Sequence, residues 1–302
     1  MDVEGVQVAA RAPAKINLVL AVGPARADGY HELATIFHAL DLYDEVVAYP
    51  SEEFSVTVRG LRADRLPTDK TNLAVRAAMA LAEYAGVRAG ARLDIRKRIP
   101  VAGGLAGGSA DAAASLVACD ALWETGLGRG ELATLAARLG SDVPFALAGG
   151  TSLGSGRGEQ LTAVMVGGTF QWVLAMARGG LATPEVYAEF DRLRTDRSVG
   201  RPAVGHDVLT ALRAGDPVAL GASMHNDLQA AACSLQPSLR ATLDTGKDLG
   251  AIAGIVSGSG PTCVFLARDK EQAEDLAAGL AASEVCADAW VVTGPAAGAR
   301  LI

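Results

Sequence analysis

The chain has 302 residues, half of them apolar and a fifth charged, so it can bury one large core or two smaller ones. Its formal net charge of -7 and the lack of a basic stripe argue against a general nucleic-acid binder. The N-terminus lacks a basic region followed by an apolar core, and no apolar run approaches the roughly 18 residues of a membrane span. We therefore expect a cytoplasmic protein without a membrane or nucleic-acid partner, and no obligate protein partner is evident.

Patterns of apolar residues predict the elements of the first half of the chain. Strand-like alternation runs from Val6 to Val22 around a break at Pro13. It predicts two faces, one with Ile16, Leu18 and Leu20 and the other with Lys15, Asn17 and Val19. The later segments are a turn at 26–29, a mixed apolar run at 33–42, a strand at 54–58, a helix at 73–84, a strand at 92–99, a helix from the glycine-rich stretch 103–108 to about 123, and a helix at 131–139.

The second half begins after a Gly/Ser loop at 151–157. The pattern restarts with a strand at 172–177, and helices and strands then alternate to the end. Residues 191–205 are polar and punctuated by Gly and Pro, which predicts an exposed loop. We place a domain boundary near residue 163, which gives domains of residues 1–163 and 164–302.

The four cysteines are far apart in the chain and have no CxxC spacing. A zinc site, a redox dithiol or a disulfide framework is therefore not expected. We interpret the following residues as buried apolar thiols: Cys119, Cys233, Cys263 and Cys286.

The strongest local signal is PVAGGLAGGSADAAASLVA at residues 100–118, a glycine-rich loop between a strand and an Ala-rich helix. Glycines let main-chain amides crowd against phosphate oxygens, and the helix N-terminus adds unpaired donors and the positive end of its dipole. Ser109 stands where a Walker A loop has lysine, and Leu105 breaks the Rossmann glycine pattern. An ordinary turn with Ser109 as N-cap and Asp111 favouring the dipole is the alternative interpretation.

Two charged residues elsewhere would complete a phosphoryl-transfer site. Lys15 lies on the strand-like segment APAKINLVL, and Asp142 lies in LGSDVPFAL between a helix and a turn. Taken singly, a strand lysine is usually solvated and such an aspartate usually caps a turn. Next to a phosphate loop, however, the aspartate could accept the proton of an acceptor hydroxyl while the lysine offsets phosphate charge. Asn17 is one strand period from Lys15 and could hydrogen-bond a polyol acceptor.

At these residues the chain resembles the GHMP kinase superfamily, named for galactokinase, homoserine kinase, mevalonate kinase and phosphomevalonate kinase. The three family motifs match APAKINLVL at 12–20, PVAGGLAGGSADAAA at 100–114 and SGSGPTCVF at 257–265, in order. The resemblance implies an α+β fold with an N-terminal ribosomal-protein-S5-domain-2-like ATP-binding domain and a C-terminal ferredoxin-like domain. It also implies ATP and Mg²⁺ as cofactors, Lys15 and Asp142 as the catalytic pair, and a glycine turn that braces the phosphate loop.

The family's nucleotide contacts transfer to positions of this sequence. The implied ATP-binding residues are Pro100, Val101, Ala102, Gly103, Gly104, Leu105, Ala106, Gly107, Gly108, Ser109, Ala110, Asn72 and Lys97. Ser109 is also the candidate Mg²⁺ ligand. We see no clear acidic second ligand, so the metal ligands stay open.

The segment RADGYHELATIFHALDLYDEV at 26–46 resembles one branch of this superfamily, in which the acceptor is a methylerythritol linked to cytidine diphosphate. The resemblance implies that Tyr30 stacks on the cytosine, that His31 hydrogen-bonds its edge and that Tyr187 closes the sandwich. It implies acceptor contacts by a further set of residues: Asn17, Gly258, Ser259 and Gly260. Two aromatic rings can sandwich a pyrimidine, and a histidine offers one donor and one acceptor.

Two alternatives remain. A homoserine-type or mevalonate-type GHMP kinase would share the phosphate loop but would lack the aromatic and histidine clamp. A non-catalytic regulator with the same fold would tend to lose the catalytic lysine or aspartate, whereas Lys15 and Asp142 are both present here.

Overall fold

The computed structural model describes residues 7–26, 29–101, 103–194 and 200–302. Its strands are β1 (Val8–Ala25), β2 (His31–Ser51), β3 (Ser55–Gly60), β4 (Gly90–Lys97), β5 (Thr151–Ser155), β6 (Gln160–Ala163), β7 (Phe170–Met176), β8 (His225–Asn226), β9 (Ala253–Val256), β10 (Cys263–Ala267), β11 (Asp288–Gly294) and β12 (Arg300–Leu301). Its helices are α1 (Leu73–Ala85), α2 (Gly107–Leu122), α3 (Arg129–Leu139), α4 (Val143–Ala148), α5 (Thr183–Leu193), α6 (His206–Ala214), α7 (Pro217–Ser223), α8 (Gln229–Leu235), α9 (Ser238–Asp248) and α10 (Lys270–Ala282).

The strands form two sheets. The larger has eight strands with the central order β12-β1-β2-β4-β3, with β5 and β6 attached through β2 and with β8 parallel to β1. The smaller has the order β11-β7-β10-β9, and all of its pairs are antiparallel. Strands β8 and β12 come from beyond residue 163 but join the larger sheet. The boundary at residue 163 stays a prediction.

The first strand departs from the predicted alternation because it contains irregular steps. The pairing of β1 with β2 shifts register at Pro13, where we predicted a break, yet the strand continues through it. A second shift between Asn17 and Val19 leaves Leu18 as an extra residue. Val19 therefore joins Leu18 in the larger apolar core, while Leu20 packs into the smaller one. The prediction of strict alternation through Leu20 was wrong for this reason.

Helices α1 and α2 cover one face of the larger sheet. Asn72 caps α1 by accepting a hydrogen bond from Ala74 N, and Gly86 ends it with φ of +70°. Most of the side chains of α2 are small and buried, which lets this helix lie close to β1 and β2. The larger core also includes Trp172 and Leu174 of the smaller sheet, so the two sheets share packed apolar side chains.

Other local predictions can be compared with the described residues. The mixed apolar run at 33–42 belongs to the long strand β2, whose pattern is hidden because both faces are largely buried. The predicted loop at 191–205 begins too early, because α5 continues to Leu193, and residues 195–199 lie outside the described part. Residues 27 and 28 of the predicted turn also lie outside it. The four cysteines are buried free thiols, as predicted. Among the described helices, none combines the length and apolarity that crossing a membrane requires.

Candidate active site

A cavity of about 780 Å³ is bordered by β1, the start of β2, the loop before α2, the N-terminus of α4 and the helix α5. Many residues that the sequence singled out line this cavity. They are Lys15, Asn17, Tyr30, His31, Lys97, Pro100, Val101, Gly103, Gly104, Ala106, Gly107, Gly108, Asp142, Tyr187, Gly258 and Ser259. The fold therefore brings together the three motif segments and the aromatic segment, which are widely separated in the sequence.

The loop between β4 and α2 presents main-chain amides to the cavity. Gly104 has φ of +73°, and Ala106, the residue before α2, has φ of +59°. Ala106 is therefore the N-cap, in place of Ser109, and no side chain caps the helix. The amides of the first turn have no intrahelical acceptor, and Gly107 and Gly108 line the cavity. Together with the dipole of a 16-residue helix, they suit an anionic ligand.

Two neighbouring segments hold this loop in place. Lys15 N donates to Leu105 O at 3.1 Å, and Ser257 Oγ donates to Gly104 O at 3.3 Å. A Cβ atom on Gly104 would lie 2.4 Å from Ser257 O, so the approach requires glycine. A Cβ atom on Gly258 would lie 3.4 Å from Lys15 Nζ. The glycine turn at 257–260 thus contacts both the glycine-rich loop before α2 and the strand that carries Lys15.

Lys15 and Asp142 lie close together at the cavity wall. Lys15 Nζ is 3.9 Å from Asp142 Oδ2 and donates to Asn17 Oδ1 at 2.7 Å. Asp142 precedes α4 but does not cap it with its side chain, which is 31% exposed. Burial lowers the pKa of Lys15, and the charge of Asp142 acts in the opposite direction. The pair is therefore placed to act on one bound hydroxyl group.

Aromatic residues line the other end of the cavity. The ring of His31 stacks on Tyr187 with a centroid separation of 5.1 Å, and His31 Nε2 lies 3.0 Å from Asp191 Oδ1. Tyr30 is 56% exposed, and the Arg157 guanidinium lies 5.2 Å from its ring centroid. Both predicted stacking rings are thus at the cavity, but here His31 is the residue that stacks on Tyr187. Asp191 already engages one of the two ring nitrogens of His31.

Some predicted residues do not line the cavity. Both polar groups of Asn72 are engaged within the protein, since Oδ1 accepts from Ala74 N and Nδ2 donates to Pro67 O. Leu105 is buried in the core. Three further residues of the predicted site also lie outside the lining: Ser109, Ala110 and Gly260. Ala102 lies outside the described residues.

Sequence reasoning missed four polar residues of the cavity wall, one of which, Ser141, directly precedes Asp142. Asp191 follows Tyr187 by four residues on α5, and that helical spacing is the signal that could have identified it. Thr183 opens the same helix, and its hydroxyl lies 2.9 Å from Ser259 Oγ. Arg157 comes from the Gly/Ser loop after β5, where nothing in the local pattern points to the cavity.

The arrangement combines three chemical capabilities in one space. Backbone amides at a helix N-terminus can bind phosphate oxygens, and a buried ammonium group stands next to a carboxylate that can accept a proton. Aromatic rings and a histidine can hold a planar, hydrogen-bonding ring. Together they suit the transfer of a phosphoryl group between two bound molecules.

Comparison with known proteins agrees with this geometry. Residues 72–150 match the family described as GHMP kinases N terminal domain, and residues 208–285 match GHMP kinases C terminal. A protein of Streptomyces avermitilis named 4-diphosphocytidyl-2-C-methyl-D-erythritol kinase is 55% identical over 295 residues, covering 98% of this chain and 99% of that protein. A protein of Salinispora tropica with the same name is 56% identical over 296 residues, covering 97% and 94%.

Solved structures show the same relationship. A crystal structure of 4-(cytidine 5'-diphospho)-2C-methyl-D-erythritol kinase superposes with a TM-score of 0.78 at 33% identity, covering 96% of this chain and 100% of that chain. A homoserine kinase from Cytophaga hutchinsonii has the same TM-score of 0.78 at 19% identity, covering 100% and 99%, and shows a likeness of fold alone. The predicted α+β fold class is confirmed.

Proposed function

Because the chain belongs to the GHMP kinase family, we propose that it transfers the γ-phosphoryl group of ATP to the 2-hydroxyl group of 4-diphosphocytidyl-2-C-methyl-D-erythritol. This makes it a phosphotransferase with an alcohol acceptor, acting in the non-mevalonate route to isoprenoids. The observation that carries the proposal is that the glycine loop, the Lys15–Asp142 pair and the aromatic residues open into one cavity. We place this reaction in the cytoplasm.

In this proposal the ATP phosphates bind at the N-terminus of α2. Gly107 and Gly108 leave room there, and among the residues that the structure describes, none outside the helix itself would come within 4 Å of a Cβ atom on Gly108. Bound Mg²⁺ would neutralise phosphate charge. The described residues contain no group of three or more His, Cys, Asp or Glu side chains suited to a metal ion. Ser109, in the first turn of α2, is the candidate side-chain ligand for Mg²⁺, although its side chain is not part of the cavity lining in this structure.

The acceptor hydroxyl would lie between the phosphate loop and Asp142. Its oxygen attacks the γ-phosphorus, the bond from that phosphorus to the oxygen of the departing ADP breaks, and Asp142 accepts the hydroxyl proton. The Lys15 ammonium offsets the negative charge on the transferred group. Asn17 Oδ1 accepts from Lys15 Nζ, and Asn17 Nδ2 donates to Thr35 Oγ1 at 2.8 Å, so Asn17 orients the lysine while facing the acceptor.

The other end of the acceptor would lie among the aromatic residues. We propose that the cytosine binds between Tyr30 and Tyr187, next to His31. This requires the ring to share or displace the contact of His31 with Tyr187. Asp191 engages Nε2 of His31, so Nδ1 is the ring nitrogen through which His31 would contact the base.

A coupled assay of ADP release over a panel of acceptors tests the proposal. The panel contains 4-diphosphocytidyl-2-C-methyl-D-erythritol, homoserine and mevalonate, and the product is examined by phosphorus NMR for a phosphate on the 2-hydroxyl. We expect turnover with the cytidyl acceptor alone. Turnover of homoserine or mevalonate without the cytidyl compound would assign the chain to another GHMP kinase type, and no turnover with any acceptor would favour a regulator.

A further inference from the structure

A buried cluster of one lysine and two aspartates lies next to the phosphate loop. Lys97, at the end of β4, has a side chain that is only 1% exposed. Its ammonium donates to Asp44 Oδ2 on β2 and to Asp111 Oδ2 on α2, the latter at 2.7 Å. The partners are 53 and 14 residues away in the chain, so the cluster joins three separate elements.

The cluster connects both ends of the phosphate loop. Asp44 Oδ1 accepts hydrogen bonds from Arg98 N at 2.6 Å and Ile99 N at 2.9 Å, which are the last residues before the loop. Asp111 lies in the first turns of α2, directly after the loop. A Cβ atom on Gly107 would lie 3.1 Å from Lys97 Nζ, so the ammonium packs against the first residue of the helix. Lys97 is therefore the point at which the strand before the loop and the helix after it are tied together.

The ammonium is already engaged by its two carboxylate partners. Two carboxyl groups surround one ammonium group in a buried space, where an unbalanced charge is costly. Burial raises the pKa of the Asp111 carboxyl group, the Lys97 ammonium opposes that rise, and the neighbouring Asp44 adds to it. The Oδ1 atom of Asp111 is buried without a hydrogen-bond partner among the described residues. A lysine held in this way is poorly placed to leave its partners for a phosphate.

We infer that Asp44 and Asp111 are positioning residues that fix the ATP phosphate loop through the Lys97 ammonium. This rests on the proposed function, because it assumes that the loop binds ATP. The lysine acts on the loop's shape, and the backbone amides contact the phosphates. If the Lys97 ammonium bound the phosphates directly, the opposite result would be expected. Removing one competing carboxylate would then free the ammonium and leave ATP affinity unchanged or improved.

The test compares Asp111→Asn and Asp44→Asn with wild type. The matched control is Asp120→Asn, because Asp120 lies on the same helix α2 but accepts from Leu127 N at 3.0 Å, at the far end from the loop. The dissociation constant for ATP is measured by calorimetry, and KM for each substrate is measured with 4-diphosphocytidyl-2-C-methyl-D-erythritol as acceptor. We expect both cluster variants to weaken ATP binding about tenfold, the equivalent of one hydrogen bond to a charged group, with the acceptor KM unchanged.

Each outcome decides the inference. Unchanged or tighter ATP binding in the cluster variants would overturn it, as would an equal effect in Asp120→Asn. Thermal unfolding checks that each variant folds. If one cluster variant fails to fold, the other carries the comparison, and failure of both would overturn the inference in favour of a purely structural cluster. Absence of acceptor turnover in the wild type would refute the proposed function. The ATP dissociation constants would still decide whether Asp44 and Asp111 fix the loop.

Discussion

Replacing Gly108 with alanine should separate stability from nucleotide binding. Gly108 is the second residue of α2, and a Cβ atom there would meet no atom of the described residues outside its own helix within 4 Å. Alanine favours a helix over glycine by about 0.5–1 kcal/mol, so the free energy of unfolding should rise by up to that amount. In a protein of this size the melting temperature should rise by roughly 2 °C.

The same methyl group should weaken ATP binding, because Gly108 lines the cavity where the phosphates are proposed to lie. Loss of one hydrogen bond from a backbone amide to a charged phosphate costs about 1.5–3 kcal/mol, which corresponds to a rise of about 10- to 150-fold in the dissociation constant. Calorimetry with ATP and thermal unfolding without ligand measure the two effects on the same sample.

Gly130→Ala is the matched control. Gly130 is likewise the second residue of its helix, α3, and it does not line the cavity. A Cβ atom there also meets nothing within 4 Å in the described part of the chain beyond its own helix. It should show the rise in stability without the loss of ATP affinity. Unchanged ATP binding in Gly108→Ala would refute the placement of the phosphates at this helix, and equal losses in both variants would do the same.

Two further predictions concern the acceptor and the core. Tyr187→Ala should raise the acceptor dissociation constant about tenfold, since stacking on a base contributes about 1–3 kcal/mol. Tyr187→Phe keeps the ring and should bind the acceptor nearly as tightly as wild type. Equal losses of affinity in both variants would show that the hydroxyl group, and not the ring, holds the acceptor. Burial lowers the pKa of His38 from 6.5 to about 3, although a backbone contact at Gly294 opposes it. The unfolded chain therefore binds a proton below pH 6.5 that the folded chain does not, and stability is lost as the pH falls from about 6.5 towards 3. The free energy of unfolding is measured by urea unfolding at several pH values in this range. His38→Gln should reduce the slope of that free energy against pH by about 1.4 kcal/mol per pH unit, and an unchanged slope would show that His38 does not contribute.

The glycine-rich loop before α2 and the helix itself could be predicted because their signal is local. Glycines at 103, 104, 107 and 108 followed by an Ala-rich run specify a tight turn and a closely packed helix within one short segment. The boundaries of α1 were similarly accessible, since Asn72 and Gly86 are typical capping residues at each end. The motif residues Lys15 and Asp142 lie 3.9 Å apart in the structure, and their catalytic role stays a prediction.

The remaining features depend on long-range contacts that no local pattern records. The register shift at Leu18 places Val19 in the larger core and Leu20 in the smaller one. This shift is set by the pairing of β1 with β2. Asp44 resembles an ordinary surface charge in the sequence, and the resemblance gave Lys97 only a nucleotide contact, yet the two are buried together because three elements converge on them. The contact of His31 with Asp191 joins residues 160 positions apart.

The most direct test of the central claim is the turnover number of Asp142→Asn with ATP and 4-diphosphocytidyl-2-C-methyl-D-erythritol. Asparagine keeps the size of the side chain but cannot accept the hydroxyl proton as a base. We predict a fall in kcat of about 10²- to 10⁴-fold, with the dissociation constants of both substrates within a few-fold of wild type. A kcat within a few-fold of wild type would contradict the claim that Asp142, next to Lys15, acts on the acceptor hydroxyl.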